Sequence, residues 1–273
     1  MATRTRTGCQ IARISKNKIV LTAITRQVSP SINKCELTHL ERQPIHLVIA
    51  KNQHEKYEEV LRSLGIKIIS LPSETDLPDS VFVEDTAIVL DEIAVITRPG
   101  ANSRRPEIFS IANALSAFRK LDFMKEPATL DGGDVLVIGK TIFIGLSSRS
   151  NHLALMQVQN MLSPFGYNIL GVEINGCLHL KSAVTQIAEK TLLINPEWVE
   201  KNNFPGMNFI EIDESEPYSA NALLIGKSVV FPMAFPKTLL RLKKAGITTV
   251  AVDMSELAKA EGAVTCCSLI FKS

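Results

Sequence analysis

Five short polar groups in this sequence stand just ahead of apolar runs: Glu84-Asp85, Asp131-Gly132-Gly133-Asp134, His179, Asn221 and Cys266-Cys267. Brought together, a thiol, an imidazole and several carboxylates would supply a nucleophile, a general base and the groups that orient them. Taken singly, each has an ordinary structural role. A cysteine in an apolar run is a small buried hydrophobe, a histidine between Leu178 and Leu180 can be a hydrogen-bonded core residue, and Asp beside Gly is a common turn. Their shared position relative to the runs that follow makes them a set.

Those runs are hairpins with a polar dipeptide or Gly-Lys at the turn. Residues 86–90 turn at Asp91-Glu92 into 93–97, and 135–138 turn at Gly139-Lys140 into 141–144. Likewise 183–188 turn at Glu189-Lys190 into 191–194, and 222–225 turn at Gly226-Lys227 into 228–231. The other half of the unit is a helix, a glycine and a strand. Tyr57, Val60, Leu61 and Leu64 make one apolar helical face before Gly65 and a strand over 66–69. The same order recurs over 153–162, Gly166 and 167–170, and over 237–245, Gly246 and 247–250. Unit starts near 85, 134, 182 and 221 give a repeat of about 40–50 residues, too short to bury its own faces unless it stacks on neighbours. A fifth unit is complete if the C-terminal strand over 262–271 pairs with the N-terminal strand over 18–24, as the ends of closed propellers do. The expected fold is α/β: five strand–strand–helix–strand units in a single cyclic domain over 18–273, with the reactive groups meeting at one axis.

Composition agrees with a globular chain of that size. Of 273 residues, 45% are hydrophobic and 21% charged, which is ample core. The 30 basic and 28 acidic residues nearly balance, so net charge implies neither a nucleic-acid nor a membrane partner. No apolar run reaches the ~18 residues that would span a bilayer. Cysteines 9, 35, 177, 266 and 267 form an odd set without a Cys-x-x-Cys pair, which points to reduced thiols and a cytoplasmic location. Zinc is the competing chemistry for Cys, His and Asp, but here the ligands come one per repeat, so no metal is expected. Residues 1–17 are basic and read as an extension, and the polar stretch about 27–45 as a loop that covers the site.

Five motifs then carry a resemblance. Asp79-Ser-Val-Phe-Val-Glu-Asp85, Ile96-Thr-Arg-Pro-Gly-Ala-Asn-Ser-Arg-Arg105, Leu130-Asp-Gly-Gly-Asp-Val135, Leu178-His-Leu-Lys-Ser182 and Thr265-Cys-Cys-Ser268 resemble, in order, those of the dimethylarginine dimethylaminohydrolases, guanidino-modifying enzymes of the pentein superfamily. The resemblance covers nearly the whole chain. It implies a five-bladed α/β-propeller of ββαβ units with pseudo-fivefold symmetry, as the repeat count does. It also implies roles: Cys266 the nucleophile, His179 the general acid/base and Asp131 its carboxylate partner. Asp85 with Glu84 would hold the guanidinium, Arg104 and Arg149 the α-carboxylate, Asp79 the α-amino group, and Phe82 the aliphatic stem. Cys267 would be a buried neighbour, turned away from Cys266 by strand alternation.

The implied reaction is hydrolysis of a guanidino C–N bond in an Nω-methylated arginine, giving citrulline and methylamine or dimethylamine through a covalent S-alkylthiouronium on cysteine, without a cofactor. The partner is then a small guanidino amino acid, and a homodimer is compatible with the resemblance. Two alternatives carry their own signals. A deiminase, amidinotransferase or hydrolase of another guanidino acid would share these motifs, whereas a non-catalytic, ribosome-binding protein of the same fold would not need the complete thiol–imidazole–carboxylate set.

Overall fold

A computed structural model of the chain describes residues 20–273. The basic extension 1–17, the first residues of the strand expected over 18–24 and Cys9 lie outside the described residues. Blade one holds β1 (Leu21–Arg26), helix α1 (Leu47–Ser63) and β2 (Lys67–Leu71). Blade two holds β3 (Ala87–Val89), β4 (Ala94–Ile96), α2 (Ile108–Leu115) and β5 (Leu121–Phe123). Blade three holds β6 (Val135–Ile138), β7 (Thr141–Leu146), α3 (His152–Leu162) and β8 (Asn168–Glu173). In blade four a one-turn helix α4 (Leu180–Ala183) leads into β9 (Val184–Ala188), β10 (Thr191–Ile194) and β11 (Asn208–Glu211). Blade five holds β12 (Leu223–Ile225), β13 (Ser228–Pro232), α5 (Pro236–Lys244) and β14 (Thr248–Val252), and after the short α6 (Ser255–Ala258) the chain ends in β15 (Leu269–Lys272).

Every blade is a three-stranded sheet with one antiparallel and one parallel pairing. The parallel pair demands a crossover, which α1, α2, α3 and α5 supply in four of the five blades. The seam expected from the sequence is present: β15 pairs antiparallel with β1 in the register Leu21↔Lys272 to Ile24↔Leu269. Gly65, Gly166 and Gly246 follow their helices with φ of +86°, +76° and +79°, the left-handed conformation that ends a helix at little cost for glycine.

Two expectations need correction. Blade four crosses from β10 to β11 without a long helix, through a loop with a single 3-10 turn at Lys201–Asn203; Phe204, packed 4.9 Å from Phe143 between ring centroids, anchors that loop in the core shared with blade three. The C-terminal strand is also shorter than expected. Residues 262–268 are not extended, and Cys266 sits in a turn whose N–H donates to Ala263 O at 3.2 Å.

Five separate apolar clusters explain why the blades must form a ring. Ile24 and Phe271 of blade one pack with Ile96 and Ile111 of blade two, and Ile88 and Val95 of blade two with Ile142 and Val158 of blade three. Phe143 of blade three packs with Val184 and Leu192, Leu193 of blade four with Val229 and Phe231, and Val230 of blade five with Ala23 and Tyr57 of blade one. Each sheet therefore buries both faces against its neighbours, and no blade has a core of its own. The turn before β3 touches the turn before β6, which in turn touches α4, so the polar residues at these strand heads are held together.

Candidate active site

The chain entering each inner strand makes a tight turn, and these turns are tied to one another. Before β3, a 3-10 turn at Val83–Thr86 carries Glu84 and Asp85; before β6, another at Gly132–Asp134 follows Asp131. Glu84 N–H donates to Cys266 O at 3.1 Å, and Gly133 N–H donates to Asp85 Oδ1 at 2.8 Å. Leu180 N–H donates to Asp134 Oδ1 at 2.9 Å, which fixes the chain beside His179. Ser147 and Ser150 hydroxyls hold the other Asp134 oxygen, each at 2.6 Å. Close approach makes the glycine pair necessary. A methyl at Gly132 would lie 1.9 Å from Glu84 O, and one at Gly133 would lie 2.5 Å from His179 Nδ1.

One cleft of ≈ 340 Å³ takes in Asp79, Phe82, Asp85, Arg104, Asp131, Arg149, His179 and Cys266, together with Glu36, Leu178, Ala260, Glu261 and Gly262. Of the nine site residues expected from the sequence, only Glu84 is missing from its lining. Glu84 faces the other side of the turn ring, where it accepts from Lys181 Nζ at 2.5 Å and Thr265 Oγ1 at 2.8 Å. Asn221, also at a strand head, closes the same network by donating to Lys181 O and Thr265 Oγ1. Adjacent carboxylates in a 3-10 turn point in different directions, so Glu84 and Asp85 do not act on one face.

Arg104 is buried rather than poised at a surface. Its Nη1 donates to Asp85 Oδ2 at 2.6 Å, its Nε and Nη2 grip Glu107 at 3.1 and 2.9 Å, and Nη2 also reaches Phe82 O at 3.1 Å. Its fork is thus largely committed to the protein's own carboxylates, while Arg149, half-buried, makes one side-chain hydrogen bond among the described residues, to Thr38 Oγ1 at 3.0 Å. Asp79 Oδ2 accepts from Glu36 N–H at 3.1 Å. Phe82 is 4% exposed and packs so closely on Gly262 that a methyl there would lie 2.2 Å from its ring. Glu107 lies three residues beyond Arg104, a helical spacing that could have revealed it. Glu36 and Glu261 have no such signal, because nothing local marks them.

Electrostatics separate the reacting groups into two unusual states. Burial raises the Cys266 thiol, with Glu84 and Asp85 adding to it, up to about 12, so the sulfur is protonated at neutral pH. Burial opposes charge on His179 but is outweighed by Asp85, the hydrogen bond to Asp131 and Asp134, and its pKa is raised to about 9. The imidazolium donates from Nε2 to Asp131 Oδ2 at 3.1 Å, and its Nδ1 lies 4.0 Å from Asp85 Oδ1. Asp131 is itself fixed by the N–H of Gly100 at 2.9 Å. Asp85, despite complete burial, is lowered to about 2 by His179, Arg104 and the Gly133 N–H, and is a permanent anion in the cleft. Cys267, one residue on, is fully buried in the core between blades one and five.

Ligand atoms of Asp85, Asp131 and His179 lie within 4.8 Å of one another, a set that could hold a cation. Two of these three groups, His179 and Asp131, are already hydrogen-bonded to each other at 3.1 Å. Cys266 is not part of the set.

A family model described as N,N dimethylarginine dimethylhydrolase, eukaryotic, matches residues 23–271. This chain belongs to that family. An N(G),N(G)-dimethylarginine dimethylaminohydrolase of Streptomyces coelicolor is 36% identical over 250 residues, which are 90% of this chain and 95% of the relative. Among solved structures, a Cys-to-Ser mutant of the Pseudomonas aeruginosa enzyme complexed with citrulline superposes with a TM-score of 0.89 at 32% identity, covering 93% of this chain and all of that one. A dimethylarginine dimethylaminohydrolase with a His-to-Gly change, forming an adduct with S-methyl-L-thiocitrulline, superposes with a TM-score of 0.87 at 32% identity and the same coverage. The dimethylarginine dimethylaminohydrolase fold is therefore the fold of this chain, with its five sheets in the same arrangement.

Proposed function

We propose that the cleft hydrolyses Nω-methylated arginines to citrulline and methylamine or dimethylamine, with Cys266 as nucleophile and His179 as proton carrier. The observation that carries this reading is the pairing, in one cleft, of a neutral thiol with a charged imidazole beside a permanent carboxylate. A guanidinium is planar and resonance-stabilised, so it reacts only when its carbon is held over a nucleophile. Asp85 is the anion available to fix its N–H groups, and the arriving cation offsets the carboxylate field that keeps the Cys266 proton on.

Ionisation of Cys266 then releases its proton to solvent, and the thiolate adds to the guanidinium carbon. His179 gives its proton to the methylated nitrogen, the C–N bond breaks, and the amine leaves a cationic S-alkylthiouronium beside a neutral imidazole. Water loses a proton to His179 and its oxygen adds to the same carbon. Collapse breaks the C–S bond, the departing sulfur takes the remaining hydroxyl proton, and the ureido product leaves with thiol and imidazolium restored. Asp131 holds the ring throughout and stabilises its charged form. Arg149 is the freer cation for the α-carboxylate, and Asp79 the group for the α-amino end.

Among the described residues no helix is long and apolar enough to cross a membrane. The described cysteines 35, 177, 266 and 267 are all free, which supports a reducing, cytoplasmic setting. A panel of arginine, mono- and dimethylarginine and agmatine, read by mass spectrometry of the ureido product and the released amine, tests the substrate. Dimethylamine should exceed ammonia when dimethylarginine and arginine compete. Ammonia from plain arginine as the main product would overturn the reading.

A further inference from the structure

Segment 36–40 runs between two clefts. Glu36 lines the cleft of Cys266, while His39 and Leu40 line a larger, more apolar one of ≈ 890 Å³ that shares Leu178, Glu261 and Gly262 as a wall. The segment has neither helix nor strand, and Thr38 and His39 are exposed. Its backbone is nevertheless gathered onto one side chain. The N–H groups of Thr38, His39 and Leu40 converge on the Glu261 carboxylate at 3.0, 2.5 and 2.7 Å. Three consecutive amides curled around one anion form a nest, and charge-assisted bonds of this kind are about twice as strong as neutral ones.

Glu261 is also the one non-glycine residue with positive φ among the described residues, at +58°. That conformation is costly for a residue with a Cβ and persists only where its surroundings hold it. It lies on the loop that leads to Cys266. Among the described residues the other hydrogen bonds that tether the segment are Arg149 Nη2 to Thr38 Oγ1, Glu36 N–H to Asp79 Oδ2, and the Ser103 hydroxyl to the Glu36 carboxylate, and Leu37 packs against the core of blades one and five. Three sides hold it by one bond each; Glu261 holds it by three amides.

We propose that Glu261 is a positioning residue, the latch that sets segment 36–40 across the mouth of the cleft and couples its closure to the loop carrying the nucleophile. Glu261 acts through the backbone it holds and not on the reacting atoms. The catalytic part of this inference rests on the proposed reaction, whereas the latch is a property of the chain alone, so the two are read by separate measurements.

Hydrogen exchange on the full chain reads the latch. The Thr38, His39 and Leu40 amides should be protected although their residues lie at the surface. In Glu261→Ala they should exchange on the order of ten- to a hundredfold faster, with amides of β7 unchanged. Glu261→Gln is nearly isosteric, keeps one acceptor oxygen and loses the charge; its exchange should fall between the two, and it carries the test if the alanine variant loses its cooperative melt. On dimethylarginine, KM should rise about tenfold in Glu261→Ala with kcat changing less. Equal exchange in wild type and both variants would overturn the latch. Faster exchange with unchanged KM would overturn its part in substrate binding. Absence of any dimethylarginine turnover in a wild-type chain with protected amides would instead overturn the proposed reaction and support the latch by itself.

Discussion

The two sides of the turn ring at the axis are built from the same strand-entry turns yet reach opposite electrostatic ends. On one side Glu84, Lys181, Thr265 and Asn221 satisfy one another in a closed network. On the other, Asp85, Asp131, His179 and Cys266 meet in a cleft where the thiol keeps its proton to about 12 and the imidazole to about 9. Pairing within the chain makes the first side structural. On the second side Asp85 and Asp131 are held by Arg104 and His179, yet the Cys266 thiol still faces a carboxylate field that an incoming guanidinium offsets. Glu84 and Asp85, adjacent in sequence, are divided between these two sides, and Cys267, next to Cys266, lies in the apolar core.

The largest contrast should come from the cysteines. Cys266→Ser should lower turnover of dimethylarginine by at least about a thousandfold, because a serine hydroxyl without a strong base is a poor nucleophile. Cys267→Ser should leave turnover within about threefold but lower stability by about 1–3 kcal/mol, the cost of burying an unpaired hydroxyl. Steady-state kinetics and thermal melts on both variants measure this, and comparable losses of activity would erase the distinction between the two sulfurs.

The carboxylates provide the next test. Asp85→Asn should cost about a hundredfold or more in kcat/KM, since it removes the anion that faces the guanidinium. Glu84→Gln should act mainly on stability, lowering it by about 2–4 kcal/mol because the Lys181 ammonium is left without its partner in a largely buried place. If Glu84→Gln instead destroyed activity in a stably folded protein, the division of the ring into two sides would be wrong.

Reagents can read the thiol directly. With burial, Glu84 and Asp85 holding the Cys266 proton on, iodoacetamide should alkylate it slowly at neutral pH, and a cationic haloamidine of similar size about tenfold faster or more. Adduct mass on the peptide containing Cys266 gives both rates, and equal rates would contradict activation by the arriving cation. The smallest effect is on stability against pH. His179 has a folded pKa raised above its unfolded value to about 9, so its contribution is complete below the ordinary histidine range and is lost as pH rises through about 9. Denaturant melts between pH 6 and 10 should therefore show a falling midpoint that Asp131→Asn flattens, and a midpoint that rose with pH would reverse the assignment.

Much of this architecture was legible in local pattern. Hairpins with two-residue turns, helices ending at Gly65, Gly166 and Gly246, and the closure of β15 on β1 all follow from periodicity and turn chemistry. Helix α2 has the same apolar spacing in Ile108, Ile111, Ala112 and Leu115, but no glycine follows it to mark its end. The crossover of blade four gave no helical period, with Pro196, Pro205 and Gly206 in it, and its support by Phe204 is a packing fact that no spacing encodes. The turn at Cys266 was hidden for a related reason: Ala263-Val264-Thr265 has strand propensity, and the backbone contact from Glu84 N–H to Cys266 O comes from a distant part of the chain.

The sequence by itself determined which residues stand at the heads of the repeats, and so which chemistry could meet at the axis, because repeat position is a property of order along the chain. Only the tertiary structure decided how those residues divide. Whether a carboxylate binds a lysine or faces a cleft, whether Arg104 is free or held by Asp85 and Glu107, and whether a thiol keeps its proton depend on burial and on charges brought close from remote parts of the chain. Glu261 is the extreme case. Nothing beside it in sequence marks it, and its three partners lie more than two hundred residues away.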